Sequence, residues 1–187
     1  MNLNTLRKVR ILFIIAALEG SAAIAIAAQT LNHSTQRHVP LTAALRPFEF
    51  LIGDWLGAPG KSGETGGFVF KSDVQGRVIV RTNFALYPAV KGKPALRHDD
   101  LMVIFADKDA IRADYFDSEG HVIRYTAQSP TAREVIFVSE AKPGEPRYRL
   151  RYVSKSDGSL SGNFDIAPPG EPGVFSIYLS WSASRAK

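Results

Sequence analysis

The chain has 187 residues, no cysteine and a formal net charge of +5 at pH 7. The lack of cysteine excludes disulfide bonds, thiol catalysis and cysteine-ligated metals, so a domain of this length must be stabilised by its hydrophobic core alone. Basic residues are scattered after the first ten positions, and this modest, dispersed charge argues against nucleic acid as a partner.

Residues 1–28 have the three regions of a secretory signal peptide. Three basic residues lie between positions 7 and 10, an apolar run follows at 11–18, and the segment ends in small residues that include Ala25-Ile26-Ala27. This order predicts cleavage and export to the periplasm or the extracellular space. Cleavage removes three basic residues and one acidic residue, and lowers the net charge from +5 to +3.

A retained membrane anchor is the alternative for this segment. Residues 11–28 are just long enough to span a bilayer, but Glu19 and Gly20 in the middle argue against a stable span. Membrane contact is expected only if the segment is kept, and the lack of cysteine excludes a lipid-modified lipoprotein. Residues 29–46 are polar without clear periodicity and predict a tether, which leaves 47–187 as one domain.

The domain is predicted to consist of strands. After a short helical turn at 47–50, residues 53–56 form the first strand and the glycine-rich stretch 57–67 a loop. Nine further runs alternate between apolar and polar residues and are rich in Val, Ile, Tyr, Phe and Thr. These runs are 67–71, 77–87, 98–106, 111–117, 121–128, 134–140, 147–153, 160–166 and 174–183.

The turns between these runs are short, and glycine stands where hairpins need it, as in Asp117-Ser118-Glu119-Gly120 and Ser156-Asp157-Gly158. About ten antiparallel strands protect their edges most economically by closing on themselves. The sequence therefore predicts an all-β closed antiparallel barrel of about ten strands, preceded by the signal helix.

The segment Phe50-Leu51-Ile52-Gly53-Asp54-Trp55-Leu56-Gly57 resembles the G-x-W start of calycin, lipocalin-like barrels. More narrowly, it is similar to nitrobindin-like and fatty-acid-binding-like barrels. The later segments Arg81-Thr82-Asn83-Phe84, His98-Asp99-Asp100-Leu101-Met102 and Tyr115-Phe116-Asp117-Ser118-Glu119-Gly120-His121 look like a family of uncharacterised bacterial secreted proteins on that barrel. The resemblance implies a cavity and a small apolar ligand.

Two ligand motifs of these families do not carry over. Nitrobindin-like proteins hold haem iron through a histidine near the C-terminal end, but this chain has no histidine after His121, so neither haem nor another cofactor is expected. Fatty-acid-binding proteins hold a carboxylate with Arg-x-Tyr on one strand. Here the two residue types are adjacent, as in Arg124-Tyr125 and Arg147-Tyr148, and adjacent residues point to opposite faces.

The run 77–87 has an apolar face and a polar face that carries Arg81, Asn83 and Tyr87. Ordinary alternation favours the polar face outside. If it lines the lumen instead, it can hold a ligand carboxylate or carbonyl. In that case Arg81 needs Asp100 or a ligand carboxylate as its partner, because an unpaired buried charge is costly.

His98 and Asp100 share one face of the next run. There they can act as a base or anchor a polar ligand group; the alternative is that they meet solvent at the strand's start. A metal site would need further ligands that the sequence does not group. With the hairpin tyrosines, the predicted ligand-binding residues are Arg81, Asn83, Tyr87, His98, Asp100, Tyr115 and Tyr125, to which His121 and Tyr148 are candidate additions.

Trp55 and Trp181 are expected inside the barrel, where they join the first and last strands, with Phe175, Ile177 and Leu179 on the same face as Trp181.

Three functions stay open. The first is a non-catalytic exported barrel that binds a small, mostly apolar or amphiphilic molecule in its lumen. The second is a structural or partner-binding envelope protein with a filled barrel. The third is an enzyme that uses His98 and Asp100. An open lumen favours the first and third, and a packed lumen favours the second.

Overall fold

The structure, a computed structural model, describes residues 39–187. The predicted signal peptide at 1–28 and the first part of the predicted tether lie outside the described residues. Within residues 39–187, no helix has the length and apolar character needed to cross a membrane.

Alternating β-branched and aromatic residues form ten strands, and each lies within two residues of its predicted ends. The strands are β1 (Gly53–Gly57), β2 (Thr65–Asp73), β3 (Val78–Tyr87), β4 (Leu96–Asp107), β5 (Ala110–Asp117), β6 (Val122–Gln128), β7 (Glu134–Ser139), β8 (Arg147–Ser154), β9 (Leu160–Ala167) and β10 (Ser176–Arg185).

Each strand pairs antiparallel with the next one along the chain, and β1 pairs with β10. This last pairing runs from Trp55 opposite Arg185 to Gly57 opposite Ala183, and it closes the barrel. The tight turns predicted at Gly120 and Gly158 are present, with φ of +88° and +81°. The prediction of an all-β closed antiparallel barrel with ten strands is confirmed.

A 3₁₀ helix, Arg46–Leu51, plugs the end of the barrel where β1 begins. We call this the closed end, and the end where β1 finishes and β10 begins the open end. Leu41 and Leu45, which the sequence assigned to the tether, are buried in the core with Phe48 and Leu51. These four apolar residues recur at helical spacing and turn one face to the barrel.

An aromatic cluster fills the middle of the barrel. Its members are Phe68, Phe70, Phe137, Tyr152 and Trp181. Tyr152 is its hub, with ring centroids 5.5 Å from Phe70 and 5.2 Å from Trp181. Trp55 is also buried, and its indole N–H donates to the Leu51 carbonyl at 2.8 Å. Both tryptophans lie inside the barrel, as predicted.

The predicted apolar face of the last strand is wrong at its start. Leu179 and Trp181 lie opposite the inward-facing Phe164 and Gly162, whereas Ile177 lies opposite Asp165 on the outer face. The intervening Tyr178 forms a β-bulge, and one extra residue turns the preceding side chains to the other face. Phe175 precedes the strand and lies 4.5 Å from the Arg149 guanidinium on the outer wall.

Candidate functional site

The polar face of β3 points into the barrel. Ile79 and Arg81 are buried, whereas Thr82 between Arg81 and Asn83 is exposed. The expectation that ordinary alternation places Arg81 and Asn83 outside was therefore wrong. The physical reason is that Asp100 on the neighbouring strand is a buried countercharge. Its attraction to Arg81 offsets the cost of removing the guanidinium from water.

Arg81 forms a buried network with two other strands. Its Nη2 donates to Asp100 Oδ1 on β4 at 2.7 Å, and its Nη1 donates to the Tyr152 hydroxyl on β8 at 2.5 Å. Asn83, directly opposite Asp100 in register, donates through Nδ2 to Asp100 Oδ2 at 2.7 Å. Arg81 Nε is buried and has no hydrogen-bond partner within residues 39–187. The network joins β3, β4 and β8 across the lumen.

The positive charge of Arg81 is balanced by the negative charge of Asp100. Burial acts to lower the pKa of Arg81, but the neighbouring Tyr152 and Asp100 raise it overall, so the guanidinium stays charged. Burial raises the pKa of Tyr152 to about 12 and also raises the pKa of Tyr115 and Tyr125. These three phenols are therefore neutral near pH 7, and Arg81 and Asp100 form a matched ion pair among them.

His98 lies above this network, toward the open end. Its Nε2 is 3.5 Å from Asp100 Oδ2 and 3.4 Å from the Tyr115 hydroxyl, and its Nδ1 is 3.1 Å from Glu119 Oε1. The ring is mostly buried and lies between two carboxylates. A side chain held in this way can donate or accept a hydrogen bond toward a polar group in the lumen.

The turn beside His98 is fixed by Asp117. Its Oδ1 accepts the backbone N–H groups of Glu119 and His121, each at 2.9 Å, and its Oδ2 is 2.9 Å from His121 Nδ1. Burial acts to raise the pKa of Asp117, but the hydrogen bonds from His121 and Glu119 hold it below its usual value. Asp117 thereby positions Glu119 next to His98.

Apolar side chains face these polar groups from the other side of the lumen. Tyr148 and Phe164 stack with ring centroids 5.7 Å apart, and Leu179 lies opposite Phe164 on β10. Leu179 points inward yet is 49% exposed, so the barrel is open to solvent at this level. We call the open half of the lumen the cup. Its polar side comprises Asn83, His98 and Tyr115, and its apolar side comprises Ile123, Tyr148, Phe164 and Leu179.

A pocket of about 280 Å³ adjoins the cup. It lies between β6 and β8, above the end of the shorter β7, and Ile123 and Tyr148 line both the pocket and the cup. This volume is just below the range of roughly 300–1,000 Å³ that is typical of small-molecule sites. The pocket and the cup therefore share one part of the barrel wall.

The predicted residues divide into three levels. Asn83, His98 and Tyr115 line the cup, Arg81, Asp100 and Tyr125 are buried beneath it, and Tyr87 is exposed at the open end.

Three residues of the site were not predicted from the sequence: Tyr152, Asp117 and Glu119. The alternation of Tyr148, Leu150 and Tyr152 on one strand face was the available signal for Tyr152. Arg124 is exposed while Tyr125 is buried, so this adjacent pair does point to opposite faces.

No group of three or more His, Asp or Glu side chains within residues 39–187 is arranged to hold a metal ion. The side chains around His98 are carboxylates and a phenol, which suit binding and orientation of a polar group.

Comparison with protein-family models found none that matches the chain, and comparison with curated proteins found no match either. The observations that bear on function are therefore the fold and the geometry of the cup.

Proposed function

We propose that this chain is an exported calycin-like barrel that binds one small, mostly apolar molecule in the cup, without catalysis. The observation that carries the proposal is the partial exposure of large inward-facing side chains at the open end, Leu179 above all. Apolar residues that point into a lumen and stay accessible are what an apolar ligand requires. The signal-peptide pattern of residues 1–28 and the resemblance of residues 50–57 to calycin starts support the export and the family.

The two-sided cup favours a ligand with an apolar body and one polar group. The body would pack on Phe164, Tyr148 and Leu179, and the polar group would meet His98 and Asn83. Arg81 is already neutralised by Asp100, and the further carboxylate of Glu119 lies beside His98. A ligand carboxylate would face these acids, and no unpaired lysine or arginine is among the residues 39–187 that line the cup. We therefore propose a neutral hydrogen-bonding group, such as a hydroxyl or carbonyl.

The test is uptake of the neutral fluorescent probe N-phenyl-1-naphthylamine. Leu179→Glu places a carboxylate on the apolar side of the cup and is expected to weaken probe binding at least tenfold, because a bound apolar probe would displace the water that solvates this charge. Ile177→Glu is the matched control, since Ile177 lies on the same strand, is exposed and faces outward. Decanol should displace the probe better than decanoate. Absence of uptake by the wild type, or equal loss in both variants, contradicts the proposal.

A filled barrel that serves as a structural or partner-binding envelope protein is the second candidate. The observation in its favour is the close packing of Phe68, Tyr152 and Trp181 in the middle of the lumen. This packing confines any ligand to the open half. The second candidate gains support if the wild type takes up no apolar probe.

A further inference from the structure

Exposed apolar side chains concentrate at the open end of the barrel. Fourteen large apolar residues are exposed in the described part of the chain, and ten of them lie at this end. The ten are Leu86, Tyr87, Val90, Leu96, Phe116, Val122, Val174, Ile177, Tyr178 and Leu179. Scattered apolar residues on a surface need no explanation, but a group around one opening does. We call these residues the rim.

The connection between β3 and β4 forms a stable finger at the rim. Val90 and Lys93 exchange two backbone hydrogen bonds, of 3.1 and 2.8 Å, across a turn at Lys91 and Gly92. Val90, which directly precedes this turn, is 52% exposed. Neither Lys91 nor Lys93 has an ion-pair partner within residues 39–187. The finger thus presents the apolar side chain of Val90 next to two lysines that have no ion-pair partner in the described part of the chain.

The start of β10 contributes the second part of the rim. Ile177 is 64% exposed and Tyr178, at the bulge, is 73% exposed. Burial raises the pKa of Tyr87 at the end of β3, and Tyr178, Glu119 and Glu64 raise it further. Tyrosines at a rim of aliphatic residues are typical of side chains that lie at a membrane–water interface.

We propose that the open end of the barrel docks on an anionic phospholipid surface, with Val90, Ile177 and Tyr178 entering the interface and Lys91 and Lys93 contacting lipid phosphates. Apolar side chains next to lysines match the two chemistries of a bilayer surface, its acyl boundary and its negative headgroups. Docking would place the mouth of the cup against the lipid. The proposal does not depend on whether the cup holds a ligand.

A second copy of the chain is a poorer partner for this surface. Two of the acids at the open end, Glu119 and Glu145, are already paired with His98 and Lys142. A rim-to-rim dimer would then oppose Lys61, Lys91 and Lys93 of each copy with only Glu64 and Glu171 as open-end acids that have no ion-pair partner within residues 39–187. Buried, unmatched charge opposes association, whereas an anionic bilayer supplies the countercharge.

The experiment is flotation of residues 39–187 with vesicles of phosphatidylcholine alone or mixed with phosphatidylglycerol. Within the described residues the core runs from Leu41 to Ala183, so this segment keeps that core and excludes the apolar N-terminal run from the assay. We expect binding to the anionic vesicles that weakens as salt increases. Lys91→Gln with Lys93→Gln should reduce partitioning roughly thirtyfold, about fivefold for each lysine. Val90→Ser with Tyr178→Ser should reduce it at least tenfold.

Matched controls come from the closed end. Val74 is 59% exposed there, and Lys108 and Lys155 lie in turns at that end. Val74→Ser and the pair Lys108→Gln and Lys155→Gln should bind vesicles like the wild type. The proposal is overturned if the wild type does not float with anionic vesicles, or if the controls lose binding as the rim variants do. It is also overturned if the rim variants only convert a dimer to a monomer in sedimentation.

Probe uptake without vesicles separates this proposal from the ligand-binding function. Vesicle binding without probe uptake leaves the rim proposal standing and contradicts the ligand proposal. Probe uptake without vesicle binding contradicts the rim proposal and leaves the ligand proposal standing.

Discussion

Arg81 and Asp100 form an ion pair inside the barrel, 2.7 Å apart between Nη2 and Oδ1, on neighbouring strands β3 and β4. They are diagonal neighbours, because Asp100 lies directly opposite Asn83 in register. In this diagonal arrangement Asp100 Oδ2 remains available to accept a hydrogen bond from Asn83. Arg81 Nη1 points to the Tyr152 hydroxyl on β8, across the lumen. One ion pair thereby links three strands at the floor of the cup.

Breaking this pair on one side should be strongly destabilising. Arg81→Met leaves the Asp100 carboxylate buried without its countercharge and is expected to lower the free energy of unfolding by about 3–5 kcal/mol. The double variant Arg81→Met with Asp100→Leu should lose less than Arg81→Met alone, because no unpaired charge remains. Urea denaturation of the single and double variants measures the coupling. Additive losses would show that the two side chains act independently.

Alkaline pH should destabilise the barrel through Tyr152. Burial raises the pKa of its hydroxyl to about 12, above the value of about 10 for a tyrosine in an unfolded chain. A raised folded-state pKa means that this contribution to stability is fully present below pH 10 and is lost as the pH rises toward 12. Tyr152→Phe should be less stable at pH 7, since Arg81 loses a hydrogen bond, and its stability should fall less between pH 10 and 12. Unfolding by urea at pH 7, 10 and 11 makes the comparison.

The strands were predictable from the sequence, whereas the direction of their faces was predictable only in part. Alternation and glycine turns are local signals, and they located all ten strands within two residues. The orientation of Arg81 depends on Asp100 and Tyr152, which are 19 and 71 residues away along the chain. No local pattern contains that information. The outer face of β3, with Val78, Val80 and Phe84, is also apolar enough to be taken for the face that packs in the core.

The bulge at Tyr178 was hidden for a related reason. Ile177, Tyr178 and Leu179 are all good strand residues, so a strict alternation through them looked acceptable. Only pairing with β9 shows that one residue is extra. The buried Leu41 and Leu45 did leave a local signal, because their spacing continues to Phe48 and Leu51 in helical steps.

Export can be tested directly. Because residues 1–28 have the three regions of a signal peptide, protein extracted from the cell envelope should begin near Gln29. N-terminal sequencing of the extracted protein gives the answer. A full-length chain in the membrane fraction would support the anchor instead.

Acid should loosen the turn that positions Glu119. The hydrogen bonds from His121 and Glu119 hold the pKa of Asp117 below its usual value of about 3.9. A depressed folded-state pKa contributes stability that is present above the unfolded value and is lost as the pH falls through the folded one. Asp117→Asn should therefore be less stable than the wild type at pH 6, and the difference should shrink below about pH 4. Asp109→Asn, in an exposed turn, is the control that removes the same charge.

Trp181 tests whether the floor of the cup is packed as described. Its ring lies against Gly162 so closely that a Cβ added there would overlap it, and its centroid is 5.2 Å from both Phe68 and Tyr152. Trp181→Ala removes these contacts and is expected to lower the free energy of unfolding by about 3–5 kcal/mol. Gly162→Ala should also destabilise, because the ring or the strand must shift. In the Trp181→Ala background the same glycine substitution should cost less but still destabilise, because the added Cβ would also overlap the backbone carbonyl oxygen of Arg151. Urea denaturation of the two single variants and the double variant decides this, and a loss below about 1 kcal/mol for Trp181→Ala would place the ring on the surface.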